Sequence, residues 1–269
     1  MIKRKIVFGL SAALVLGVLA AAPVAAAPRG PYVCTGGSIP AGTYRGLVVT
    51  GSCMFGGDVT INGGLRVEPG ASLNDHAASQ ATVRVNGGVF VGEGAVLGLG
   101  AYGPPGIKTA TQVNGGVFAD NPLSLYLSGI TVNGNVTSLG GVDPAFTGDL
   151  SEFRNFPFKD NTINGNVTIQ GWKGGWIGLI RNQVSGNVTF AENSSMLVET
   201  PDGCGFEPGE TPCSGSAPGT DSDSSEVQTN VIHGNLSCYD NVPPAQVNAL
   251  DGGQPNQVSG QKRGECAAL

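Results

Sequence analysis

Six cysteines, two tryptophans with a lysine and an arginine close by, and a series of asparagines are the side chains of this 269-residue sequence whose types and spacing could do chemistry. Cys34, Cys53, Cys204, Cys213, Cys238 and Cys266 are even in number and form no Cys-x-x-Cys or Cys/His cluster. They read as disulfides, not metal ligands. Fifteen connectivities are open in principle, and proximity favours Cys34 with Cys53, Cys204 with Cys213 and Cys238 with Cys266. Trp172 and Trp176 sit in Gln170-Gly171-Trp172-Lys173-Gly174-Gly175-Trp176-Ile177. Trp172, set among glycines, can be read as exposed, a stacking platform for a sugar ring with Lys173 and Arg181 at hand for an acidic group. Trp176 opens the apolar run Ile177 to Ile180 and is expected inside, its indole N–H needing a partner. The favoured reading, against the platform, has both rings capping the hydrophobic column at a loop.

Catalytic arrangements are not found in the same sequence. The Asp-Asp pair, Gly-His-Gly and Arg-x-Lys signatures of pectin-degrading enzymes are absent, and the acids are scattered. Asp143, Asp149, Glu152 and Asp160 gather around a Phe-rich stretch and read as a solvated loop. Gly98-Leu99-Gly100-Ala101-Tyr102-Gly103 matches a dinucleotide-binding pattern, but Pro104-Pro105 follows where a helix must start. Asp221, Asp223 and Glu226 lack a calcium-loop pattern, and His76 and His233 read as exposed. No catalytic residue, metal or cofactor is assigned.

The elements that must position these residues follow from composition and repetition. With 44 Gly, 17 Pro and only 13% charged residues, helical bundles are excluded, while 40% hydrophobic residues suffice for a core. A short unit recurs as Ile61-Asn62-Gly63-Gly64-Leu65, Val85-Asn86-Gly87-Gly88-Val89, Val113-Asn114-Gly115-Gly116-Val117, Val132-Asn133-Gly134-Asn135-Val136, Ile163-Asn164-Gly165-Asn166-Val167, Val184-Ser185-Gly186-Asn187-Val188 and Ile232-His233-Gly234-Asn235-Leu236, with a degenerate Val258-Ser259-Gly260. Its central glycines are 19 to 31 residues apart except for one gap of 48, which reads as two coils. Each unit is taken as strand, corner, strand, with Gly supplying a positive φ and Asn tolerating one. The fold expected is an all-β, right-handed parallel β-helix of about eight to ten coils, one domain over 28–269. A β-sandwich of hairpins is the rival, since Asn-Gly also opens type I′ turns. Residues 28–57 are expected as an N-terminal cap, 193–226 as a loop insertion with a short strand at Met196 to Glu199, and 237–269 as a C-terminal cap. Asn135, Asn166, Asn187 and Asn235 would form a ladder at one corner, and the Cys34–Cys53 and Cys238–Cys266 bridges would staple the terminal coils.

Lys3, Arg4 and Lys5, the apolar run Ile6 to Leu19 and Ala25-Ala26-Ala27 make up a secretory signal peptide over 1–27. With no Cys before Cys34 and no apolar tail, the mature protein is expected to be released without a lipid or transmembrane anchor. The whole chain carries −6, and removal of the three basic residues leaves eleven against 20 acids, or −9, which disfavours nucleic acid as a partner.

Three stretches, Cys34-Thr35-Gly36-Gly37-Ser38-Ile39-Pro40-Ala41-Gly42-Thr43-Tyr44, Trp176-Ile177-Gly178-Leu179-Ile180-Arg181-Asn182, and Val258-Ser259-Gly260-Gln261 to Gly264-Glu265-Cys266, resemble a family of uncharacterised secreted actinobacterial proteins. The resemblance spans most of the mature chain. It implies export and a β-helix-like repeat, and it transfers no catalytic residue. Together these readings lead to an exported, non-catalytic binding or structural protein with a glycan or cell-envelope component as partner. The alternative is a polysaccharide lyase or hydrolase on a β-helix scaffold.

Overall fold

The computed structural model describes residues 30–74, 81–101, 105–141, 156–195, 225–247 and 252–269. It is a parallel β-solenoid. Twenty-nine short strands fall into a ten-stranded, an eight-stranded and a nine-stranded parallel sheet, plus one two-stranded pair. The chain visits the three large sheets in rotation. In the first coil β1 (Tyr32–Cys34) lies in the ten-stranded sheet, β2 (Gly37–Ile39) in the eight-stranded sheet and β3 (Gly42–Tyr44) in the nine-stranded sheet, before β4 (Leu47–Val49) pairs back onto β1. Ten, eight and nine strands amount to about nine coils, within the expected range. Residues 28–57, expected as a cap, already carry β1 to β5 (Ser52–Phe55).

Alternation decides which side chains enter the column. In β7 (Leu65–Val67) and β9 (Val83–Val85) the two valine or leucine ends are buried and the central Arg66 or Arg84 is exposed. Val, Ile, Leu and Phe from every coil fill one continuous core, including Phe55, Phe156, Phe158 and Phe190.

Two details correct the sequence reading. The gap of 48 residues is a single coil, because Gln183 of β22 (Gln183–Val184) pairs directly with Val231 of β26 (Val231–Ile232). The extra length falls between Ser195 and Ser225, outside the described residues. Nor do the repeat glycines have positive φ. They are required by close approach instead: a Cβ on Gly87 would lie 2.7 Å from the Gly63 carbonyl oxygen, and one on Gly115 would lie 2.7 Å from that of Gly87. Positive φ occurs at the other two corners, at Asn121, Glu192 and Asp240 after ten-stranded-sheet strands and at Asp160, Arg181 and Thr229 after eight-stranded-sheet strands.

Disulfides tie Cys34 to Cys53 and Cys238 to Cys266, with Cα atoms 6.5 and 5.2 Å apart. The second closes a 3-10 helix, Glu265–Ala268, over the last coil. Cys204, Cys213, the short strand expected at Met196 to Glu199, His76 and the segment 1–27 lie outside the described residues. No helix among the described residues is long and apolar enough to cross a membrane.

Candidate functional site

The side chains expected to form a sugar platform are dispersed. Trp172 is fully buried, its ring meeting Phe156 edge-on with centroids 5.1 Å apart. This corrects the reading of an exposed ring, and the neighbouring glycines are the reason. A Cβ on Gly141 or on Gly174 would come within 2.7 Å of the indole, so these glycines let the ring into the core. Trp176 is buried as expected and donates its Nε1–H to Glu226 Oε2 at 3.1 Å, while Lys159 Nζ lies 4.4 Å from the ring centroid. Lys173 is exposed on β20 (Lys173–Gly174), beside the buried Trp172. Arg181 sits at a different corner and is committed to Asp160, Nε to Oδ1 at 2.8 Å and Nη2 to Oδ2 at 2.9 Å. Asp160 Oδ1 also accepts the Gly106 N–H at 3.0 Å, and Lys108 Nζ donates to the Asp160 carbonyl. Partial burial lowers the Lys108 pKa, with the Asp160 charge opposing it. This cluster clasps a loop onto the coil; it leaves Arg181 no spare fork for an acidic ligand.

Asparagine ladders are present, more of them than expected. At the repeat corner Asn135 Oδ1 accepts the Asn166 backbone N–H at 2.8 Å, and the pattern continues from Asn166 to Asn187, Asn187 to Asn235 and Asn235 to Gln261 at 2.8 to 2.9 Å. The acceptors are side-chain oxygens and the donors are mainly backbone; amide-to-amide contacts along this column are longer, 3.3 to 3.4 Å. A parallel exposed ladder joins side chain to side chain from Asn62 through Asn86, Asn114 and Asn133 to Asn164, each Nδ2 donating to the preceding Oδ1 at 2.7 to 3.1 Å. Two further ladders are internal. Asn161, Asn182 and Asn230 follow the positive-φ residues of one corner and continue to Asn256, and Asn193, Asn241 and finally the Glu265 carboxylate follow those of the other. The signal for these was an Asn directly after Asp160, Arg181, Thr229, Glu192 or Asp240, residues too unlike one another to read as a motif.

The surface best suited to a ligand is the outer face of the ten-stranded sheet in its N-terminal half. Register places Val48, Arg66, Phe90, Phe118, Thr137, Thr168 and Thr189 in one outward column. Phe90 and Phe118 stack with centroids 5.9 Å apart, and the Arg66 guanidinium lies 4.2 Å over the Phe90 ring. Arg66 Nε also donates to Glu68 at 2.7 Å, which neutralises it locally. Beside this column runs an open groove of about 710 Å³, bordered by Gly64, Gly88 and Gly116 and closed by Asn135 and Thr137.

The repeat itself makes this groove. Where the unit reads Gly-Asn, the Asn carboxamide fills the space beside the strand and accepts the next coil's N–H. Where it reads Gly-Gly, no side chain is there, and among the described residues no acceptor takes the N–H of Gly88, Gly116 or Asn135. The direction of these groups is fixed by the peptide plane. The Gly87 carbonyl accepts from Gly115 in the following coil at 3.0 Å, so the Gly88 N–H, anti to it, points back over Gly64. A largely apolar trough with an aromatic wall and a row of backbone N–H donors can therefore hold a ligand with acceptor oxygens and apolar faces. No family model, curated protein or solved structure matches this chain.

Proposed function

We propose that this chain is an exported β-solenoid that binds an extracellular or cell-envelope glycan along the outer face of its ten-stranded sheet, acting as a rigid surface and not as a catalyst. The observation that carries this reading is the stack of exposed Arg66, half-buried Phe90 and exposed Phe118 beside the glycine-bordered groove, an aromatic wall over unpaired backbone donors. Export is supported by the basic, apolar and small-residue pattern of residues 1–27, by the resemblance to secreted proteins, and by two disulfides of the kind an oxidising compartment sustains.

Binding of the purified protein to immobilised glycans, with released reducing ends and unsaturated products followed in parallel, tests the reading. The double variant Phe90→Ala/Phe118→Ala is expected to lose retention while its unfolding midpoint stays close to the parent's. Retention unaffected by the double variant, or turnover of any glycan, would overturn it.

A further inference from the structure

Resting on the glycan-binding reading, the ligand class is written in the coils that need no ligand. Asn135, Asn166, Asn187 and Asn235 each place a planar carboxamide beside the ten-stranded sheet, its oxygen 2.8 to 2.9 Å from a backbone nitrogen of the following coil. At Gly64, Gly88 and Gly116 the same backbone geometry recurs without the carboxamide, and the groove lies over these positions. We infer that the groove binds a β-1,4-linked chain of N-acetylated amino sugars whose same-side acetamido carbonyls accept the N–H groups of Gly88 and Asn135.

An acetamido group is the asparagine side chain in outline, with a methyl carbon in place of Cβ. Phe90 and Phe118 supply apolar edges for that methyl and for the sugar ring. Charge points to a neutral glycan, because the chain carries −6 and the Arg66 guanidinium is held by Glu68. Spacing favours a glycan over a peptide. Successive coils lie about 4.8 Å apart, so the Gly64 and Gly116 positions are separated by about 9.6 Å. In a two-fold β-1,4 chain alternate acetamido groups face the same side, and a chain laid along the solenoid axis addresses these two positions. Same-side carbonyls of an extended peptide recur every two residues, about 6.8 Å, which matches neither spacing.

Calorimetric titration with the N-acetylglucosamine hexamer, cellohexaose and an acetylated oligo-alanine peptide tests this. The hexamer is expected to bind at least tenfold tighter than cellohexaose, which differs by a hydroxyl in place of each acetamido group, and the peptide not to bind. Gly64→Asn supplies the protein's own carboxamide beneath Gly88. The added Cβ meets only the Gly88 carbonyl oxygen, at 3.1 Å, and affinity is expected to fall at least tenfold with no more than a small loss in Tm. Independently of that variant's folding, hydrogen exchange on the parent should show the amides of Gly88 and Asn135 gaining protection on addition of the hexamer, while Asn166, already bonded, does not change. Equal affinity for cellohexaose, or no gain in protection at these two amides, overturns the acetamido assignment and leaves glycan binding standing. Binding of the peptide alone, or of none of the three, overturns both.

Discussion

Asn182 accepts two hydrogen bonds from Asn161 of the preceding coil through one oxygen, from the backbone N–H and from Nδ2–H, each at 3.0 Å. Its own Nδ2 donates to the Phe158 carbonyl at 2.8 Å and to Asn230 Oδ1 at 3.0 Å, and the side chain is wholly buried. Asn182→Ala leaves the Asn161 backbone and side-chain donors unpaired where water does not reach. The expected cost is on the order of 3 kcal/mol in urea unfolding. Asn133→Ala, in the exposed ladder, is expected to cost no more than about 0.5 kcal/mol, since solvent replaces the lost partners.

Gly115→Ala and Gly64→Ala separate close approach from conformational freedom. Neither glycine has a positive φ. A Cβ added to Gly115 would be 2.7 Å from both the Gly87 carbonyl oxygen and the Gly88 nitrogen, backbone atoms that cannot step aside without parting the coils. A loss of roughly 2 kcal/mol or more is expected there, by overpacking. At position 64 the nearest contact is 3.1 Å, and a smaller loss is expected. Thermal unfolding of the two variants side by side checks the order.

Trp172→Ala empties a site enclosed by Phe156, Gly141 and Gly174 and should destabilise the protein by about 3 to 5 kcal/mol. Phe118→Ala, 39% exposed at its parent residue, should cost under about 1 kcal/mol. Chemical denaturation distinguishes the core ring from the surface ring; a mild Trp172→Ala would contradict the burial described.

Each terminal disulfide closes a loop of 19 or 28 residues, which on chain-entropy grounds is worth roughly 3 to 4 kcal/mol. Reduction should raise amide exchange first at the two ends, around β1 and around the closing 3-10 helix, and leave the central coils protected. Uniform acceleration along the chain would show that the bridges do not act locally. Non-reducing peptide mapping is expected to join Cys204 to Cys213 as the third pair.

Features repeated once per coil were legible in the sequence. The parallel sheets, the Asn135 to Asn235 ladder and the two terminal disulfides all follow from residues recurring at coil length, where stacking brings like positions together. Features that depend on what lies opposite were not. Trp172 looks uncovered along the sequence because its neighbours are glycines, yet those glycines admit the ring to a core built by Phe156 and other coils. The Asn161 to Asn256 ladder was hidden because each Asn follows a different residue, Asp160, Arg181, Thr229 or Pro255, of which the first three share only a left-handed backbone conformation. The binding groove was missed for a related reason: it is made by what Gly64, Gly88 and Gly116 lack.

The change from Gly-Gly to Gly-Asn units has a consequence for how such a molecule can be altered. Since each Asn serves only its own coil and the one after it, the boundary between plugged and open positions can move by a single residue replacement, leaving the rest of the stack untouched. Gly116→Asn would shorten the trough by one rung only with some yielding of the backbone, because its Cβ would lie 2.8 Å from the Asn135 carbonyl oxygen. Asn135→Gly would lengthen it by one rung at the cost of the bond to Asn166. The reach of the surface is thus graduated in coil-sized steps, like the marks on a ruler.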